Sequence, residues 1–204
     1  MSGADLDPMR PRIFGIGLNK TGTSSFHEAL TLLGYRSLHW GGPTVRRAVE
    51  GARDAGRPLL ADIDPTFDAF SDILPLAQGF ALLDEQYPGS HFVLTVRPTD
   101  QWIDSRRRHV ENNVRRKAAG EYDGDFLVVD QEGWRAEWTH HVSSVRRYFG
   151  ARTDFLEVDL TSGGGWAPLC RLLDVPRPGA PFPWVNSGRT ARDEVHDDAL
   201  RSSS

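Results

Sequence analysis

The sequence predicts an α/β fold of three layers, with a mainly parallel central sheet flanked by helices. Three observations carry this. Short apolar, β-branched runs alternate with longer amphipathic ones along most of the 204 residues, the pattern of repeated strand–helix units. The first apolar run opens into a loop of glycine, threonine and serine and then directly into a helix. The clearest run, HFVLTV at 91–96, is bounded by turn residues and leads into a long helical stretch.

The elements follow in order. Residues 12–18, RIFGIGL, read as a buried strand, and 19–25 as its loop. A helix over 26–34 places Phe26, Ala29, Leu30 and Leu33 on one face and stops at Gly34. Residues 35–40 read as a strand broken by Gly41-Gly42-Pro43, with a helix over 44–56. Residues 59–63 and 67–73 both have strand character, with Pro65 between them. A helix over 76–86 ends at Tyr87-Pro88-Gly89, and 91–96 is a strand. The helix after Pro98 turns Trp102, Ile103 and Val110 inward. A polar break at 120–130 precedes a helix over 131–149. The last strand spans 155–158, followed by a glycine turn at 163–165 and a helix through Leu173. The sequence thus divides into a flexible leader, 1–11, one domain, 12–186, and a partly disordered tail, 187–204, rich in charge and serine.

Composition narrows the function. Hydrophobic residues are 39% and charged residues 25%, and the formal net charge is −4. That balance gives no support for nucleic-acid binding. The basic clusters Arg106–Arg108 and Arg115–Lys117 read as solvated helix faces. Cys170, the single cysteine, sits in an apolar run and reads as a small core residue. No cysteine–histidine metal pattern is present, and the adjacent His140 and His141 would diverge on a helix. The N-terminus does not read as a signal peptide, and no run is long enough to cross a membrane. A cytoplasmic enzyme is the expectation. The only lysines are Lys20 and Lys117, which makes Lys20 conspicuous.

Gly17-Leu-Asn-Lys-Thr-Gly22-Thr-Ser24 nearly matches the phosphate-loop pattern G-x-x-x-x-G-K-[ST]. The glycine spacing is intact and Ser24 fills the last position, but Thr23 replaces the lysine and Lys20 stands inside the variable stretch. Backbone N–H groups and the helix start still suit a phosphate. Thr21, Thr23, Ser24 and Ser25 add hydroxyls around Gly22, and Lys20 adds a full charge. The displaced lysine is unlike an ATP-hydrolysing site. A dinucleotide fingerprint starts at Gly15-Ile-Gly17, but its third glycine position holds Lys20. A second feature lies at the end of strand 91–96. Arg97 projects into the crevice where such sheets bind ligands, and Ser105, eight positions on, faces the same side from the next helix. Arginine offers a planar fork to a phosphate, and serine adds a neutral donor.

The segment Lys20-Thr-Gly-Thr-Ser-Ser25 resembles the 5′-phosphosulfate loop, K-[ST]-G-T-[TS], of sulfotransferases that use 3′-phosphoadenosine-5′-phosphosulfate (PAPS). The Arg97/Ser105 pair is similar to their 3′-phosphate element, an arginine at a strand end and a serine eight residues later. The segments 29–35 with His39, 68–72 and 87–97 with Trp102 look like a compact, P-loop-like branch of the family. The chain departs from the pattern at Pro98, and at Ser25-Phe26, where many members carry an adenine-stacking tryptophan.

The resemblance implies sulfuryl transfer from PAPS, leaving PAP, to a hydroxyl or amine of a small-molecule or glycan acceptor. It implies a P-loop-like fold, no metal, and cofactor contacts from Lys20, Thr21, Gly22, Thr23, Ser24, Ser25, Arg97, Ser105 and, from the C-terminal loop, Arg189. Lys20 would stabilise the departing oxygen. Asp72 is the favoured general base, with Asp68, Asp62, Asp64 and His39 as competitors, and a helix N-cap is the alternative role for Asp72. His39 fits a catalytic, packing or substrate-contact role. No nucleic-acid or membrane partner is expected, and a homodimer is left open. The acceptor loops would be 40–45, 62–75 and 112–130, with the Phe182-Pro-Trp184 segment. A magnesium-dependent kinase and a non-catalytic nucleotide-binding module are the rival readings.

Overall fold

The computed structural model describes residues 10–185. Five strands alternate with seven α-helices: β1 (Ile13–Gly15), α1 (Thr23–Leu32), β2 (Ser37–His39), α2 (Gly42–Asp54), β3 (Ala69–Ser71), α3 (Leu74–Gln78), α4 (Phe80–Gln86), β4 (His91–Thr95), α5 (Thr99–Ala118), α6 (Gln131–Phe149), β5 (Phe155–Val158) and α7 (Trp166–Leu173). All strand pairs are parallel, in the order β2-β3-β1-β4-β5. The expected three-layer α/β architecture is present.

The strand period of two divides the core between two faces. Phe14, Phe70, Phe92 and Leu94 pack with α5 and α6 through Trp102, Val110, Trp138, Val145 and Phe149. Ile13, Ala69 and Val93 point the other way, against Phe26 and Leu30 of α1 and Trp166 and Leu169 of α7. Cys170 is buried with the second group, as its apolar run predicts. After β1 the chain builds β2 and β3 on one side and β4 and β5 on the other. The carboxyl ends of β1, β3 and β4 therefore border a topological switch point, where open parallel sheets take ligands.

Several elements differ from expectation. Residues 59–63 form turns rather than a strand. Their amides find local acceptors: Leu59 donates to Gln86 Oε1 at 2.8 Å, Leu60 to the Tyr87 hydroxyl at 3.0 Å, and Ile63 to Leu60 O at 3.0 Å. Leu59 is still fully buried, so its apolarity reflects core packing without sheet pairing. The helix expected over 76–86 divides at Gly79 into α3 and α4. Helix α2 begins at Gly42, with Pro43 in its first turn, so that Gly-Gly-Pro starts a helix as well as ending a strand. Arg106 does not lie on a solvated face. It is 9% exposed, bonds Glu137 at 2.6 Å, and lies between the rings of Trp102, Phe126 and Trp134. Three aromatic faces and a carboxylate offset the desolvation of its charge. Among the described residues no helix is long and apolar enough to cross a membrane.

Candidate active site

The loop after β1 is held from three directions. Thr21 is fully buried; its hydroxyl donates to Leu18 O at 2.6 Å and lies 2.6 Å from the Thr95 hydroxyl of β4. The Trp102 indole N–H of α5 donates to Asn19 O at 2.7 Å. His141 of α6 donates from Nε2 to Ile16 O at 2.7 Å. Gly17 is obligatory here, because a Cβ would collide with the Thr95 backbone and side chain. Lys20 and Gly22 both take the left-handed region, at φ 67° and 91°. That turn lets helix α1 begin at Thr23, three residues before the expected start.

The earlier start changes what the hydroxyls do. Thr23, Ser24 and Ser25 are the first turn of α1, whose N-terminus has no side-chain cap. Helical geometry leaves their N–H groups without intrahelical acceptors, at the positive end of the dipole. The hydroxyls are engaged within the protein. Thr21 braces the loop, and Thr23 bonds the Asp72 carboxylate. Ser24 lies 3.4 Å from His39 Nε2, and Ser25 accepts from Val185 N–H at 3.1 Å. Thr21, expected among the phosphate contacts, spends its hydroxyl on the Leu18 carbonyl and the Thr95 hydroxyl.

The ends of β2 and β3 form the second part. His39 Nδ1 lies 3.0 Å from the Ser71 hydroxyl, and its Nε2 is 3.7 Å from Asp72 Oδ2. The His27 ring stacks on His39 at 5.3 Å. Burial, and then the charge of His27, pull His39 down to about 4. Its contact with Asp72 is thus one of a neutral imidazole with an acid, not an ion pair. Asp72 is pushed up to about 6 by burial, against the Lys20 charge and the Thr23 hydrogen bond. It sits at φ 59°, directly after β3. Trp40, directly after β2, has φ 58° and is 58% exposed. Left-handed backbone at ordinary residues concentrates at this edge of the sheet, as strain does at ligand sites.

Asp72 is not a helix cap: α3 starts after Ile73 and has no side-chain cap. The competing aspartates are engaged elsewhere. Asp62 pairs with Arg57 at 2.7 Å, Asp64 holds the Thr66 amide and hydroxyl, and Asp68 accepts from Arg36 N–H before β3 begins.

The end of β4 contributes Arg97. Its Nε is buried with no hydrogen-bond partner. Burial and the nearby Arg108 lower its pKa, against the attraction of Asp159. Ser105 lies partly buried on α5. Arg189 lies outside the described residues. Sequence reading missed two contributors, His141 and His109. His109 follows Ser105 by one helical turn and is held near 4 by burial and by the charge of Lys20. The helical spacing from Ser105 was the available signal.

No curated protein matches the chain. A family model described as a sulfotransferase domain matches residues 12–191, the stretch that contains the loop after β1, the Asp72 turn and the Arg97 strand end. The chain belongs to the sulfotransferase domain family, whose common chemistry is sulfuryl transfer.

Proposed function

We propose that this sulfotransferase takes PAPS as donor and sulfates a hydroxyl or amine of a small-molecule or glycan acceptor. The observation that carries the reading is the convergence of three unlike groups on one edge of the sheet. The uncapped start of α1 with Lys20 follows β1, the acid Asp72 follows β3, and the arginine with an unpartnered buried Nε follows β4. A buried donor without an acceptor is costly and fits an anion held there. These residues suit a nucleotide with anionic groups at two separated positions.

PAPS, when bound, supplies the sulfuryl group and a phosphate as leaving group. The amides of Thr23, Ser24 and Ser25, with the Gly22 turn, would hold the 5′-phosphate, supported by the Thr23 and Ser24 hydroxyls. Arg97 and Ser105 would hold the 3′-phosphate. Lys20 would place its ammonium at the bridging oxygen and neutralise the charge that grows there. Asp72 would accept the acceptor proton. A carboxyl near 6 is mostly ionised at neutral pH, yet is more basic than an exposed aspartate. His39, kept neutral, would orient Asp72.

Thermal melting with PAP, ATP with magnesium, and NAD tests the donor. Stabilisation by PAP alone is expected, about 2.7 kcal/mol at a hundredfold excess over Kd. Stabilisation by magnesium-ATP without PAP would select a kinase instead.

A further inference from the structure

Trp102, Trp134, Trp138 and Trp166 are buried, whereas Trp40 and Trp184 are 58% and 54% exposed. Trp184 is exposed yet held by its neighbours in the chain. The Trp166 indole N–H of α7 donates to Ala180 O at 2.9 Å. Phe182 is buried and meets the Trp166 ring edge-on at 5.0 Å. Gly165 leaves room for that ring, since a Cβ there would collide with it. Pro181 and Pro183 fix φ on both sides of Phe182. Val185 N–H then donates to Ser25 Oγ at 3.1 Å. Residues 180–185 are thus a strap pinned on α7 at one end and on the first turn of α1 at the other.

The strap sets Trp184 between two segments that border the loop after β1. One is the first turn of α1, bonded through Ser25. The other is the turn at 160–163, which follows β5. The Trp184 ring lies against Gly163, where a Cβ would be 4.0 Å from its Cζ2. Leu160 and Thr161 of the same turn lie against Gly22, 3.2 and 3.7 Å from where its Cβ would be. The sheet order separates the two exposed tryptophans. The start of α1 follows β1 and Arg97 follows β4, in the order β2-β3-β1-β4-β5. A nucleotide with one phosphate at each therefore runs from β1 toward β5. Trp184 stands beside the turn after β5, whereas Trp40 follows β2 at the opposite edge.

We propose that Trp184, expected with the acceptor loops, is instead the platform on which the adenine of the donor stacks. This rests on the reading of the donor as PAPS. A purine is a flat, weakly hydrated ring, and indole offers it the largest aromatic face of any side chain. A platform already fixed by the strap has little freedom left to lose when the base arrives. The strap takes the Ser25 hydroxyl and not its amide, so it sits on α1 without consuming a phosphate donor.

The test needs no acceptor substrate and reads binding alone. Two probes are titrated by calorimetry: PAP, and ribose 3,5-bisphosphate, which keeps both phosphates and lacks the base. Trp184→Ala should weaken PAP about tenfold and leave the sugar bisphosphate unchanged, whereas Trp184→Phe should keep most of the PAP affinity. A second readout is fluorescence in a Trp40→Phe protein, where Trp184 is the one exposed tryptophan among the described residues. PAP should quench its emission, the sugar bisphosphate should not, and a further Trp184→Phe change should abolish the quench while PAP still binds. Equal losses for both probes in Trp184→Ala, or PAP binding with no quench, overturns the proposal and leaves the donor reading standing. A parent protein that binds neither probe sinks the donor reading and this inference with it.

Discussion

The two walls of the crevice are built differently. On the proposed donor side, the loop after β1 is tied to three elements by short bonds: Thr21 to Thr95, Asn19 to Trp102, and Ile16 to His141. On the proposed acceptor side, His39 is held by Ser71 at 3.0 Å, but His39 and Asp72 meet only at 3.7 Å, Ser24 and His39 at 3.4 Å, and Trp40 stands exposed. The loop after β1 is thus braced more tightly than the turn after β3, as the proposed assignment of donor and acceptor sides needs. Thr23 bonded to Asp72 joins the walls, linking the first turn of α1 to the proposed base.

The largest expected effect comes from the donor wall. Lys20→Met keeps the stem and removes the charge, and transfer should fall about 10³-fold. Melting at pH 7 should fall only modestly, because the loop's three braces do not involve the ammonium although its charge favours the ionised Asp72. Retained turnover would break the assignment of the leaving-group cation.

Asp72→Asn tests the acceptor wall, with an expected loss of about 10²-fold in kcat. With Asp72 as the base the active form would be the carboxylate, so kcat/KM should fall as pH drops through about 6. Stability should move the opposite way. The folded pKa is raised above the ordinary 3.8, so the stability that goes with protonation is complete below about 4 and is lost as pH rises through 6. The ionised form then costs up to about 3 kcal/mol at neutral pH. The Asn variant, which tolerates the left-handed backbone, should melt higher than the parent at pH 7 and lose that advantage near pH 4. A variant that melts lower at pH 7 would mean that Asp72 is structural.

Arg97→Ala sharpens the donor side at its far end. PAP affinity should drop about tenfold to a hundredfold, while adenosine 5′-phosphosulfate affinity should hardly change. Equal losses measured by calorimetry would remove the 3′-phosphate role.

Much of the donor wall is written locally. The loop pattern, Lys20 and Arg97 are contiguous signals attached to strands that the apolar runs reveal. Helices 131–149 and the strand 155–158 are legible for the same reason, since period and caps such as Asp130 are local. The braces are not local. His141 reaches Ile16 across the whole domain, and Trp102 reaches Asn19 from another element. Arg106 reads as surface charge because its aromatic cage is assembled from α5, α6 and the 120–130 segment. Residues 59–63 read as a strand because burial without pairing leaves the same apolar trace as a strand. On the proposed acceptor wall the resemblance names Asp72, but the burial that raises its pKa is not encoded in composition.

The smallest effect separates bracing from binding within the loop itself. Thr21 belongs to the motif, yet its hydroxyl is engaged within the protein, by Leu18 O and the Thr95 hydroxyl. Thr21→Val keeps the shape and removes both bonds, leaving the Leu18 carbonyl and the Thr95 hydroxyl short of a partner. The cost should be about 1–3 kcal/mol, read as a lower denaturant midpoint with unchanged slope. If the loop refolds around the valine, PAP affinity should change by less than a factor of about ten. Ser24→Ala should give the reverse, with little loss of stability and a larger loss of PAP affinity. If Thr21→Val instead keeps full stability and loses PAP, the hydroxyl turns into the crevice on binding, and the rigid donor wall is itself a mobile part.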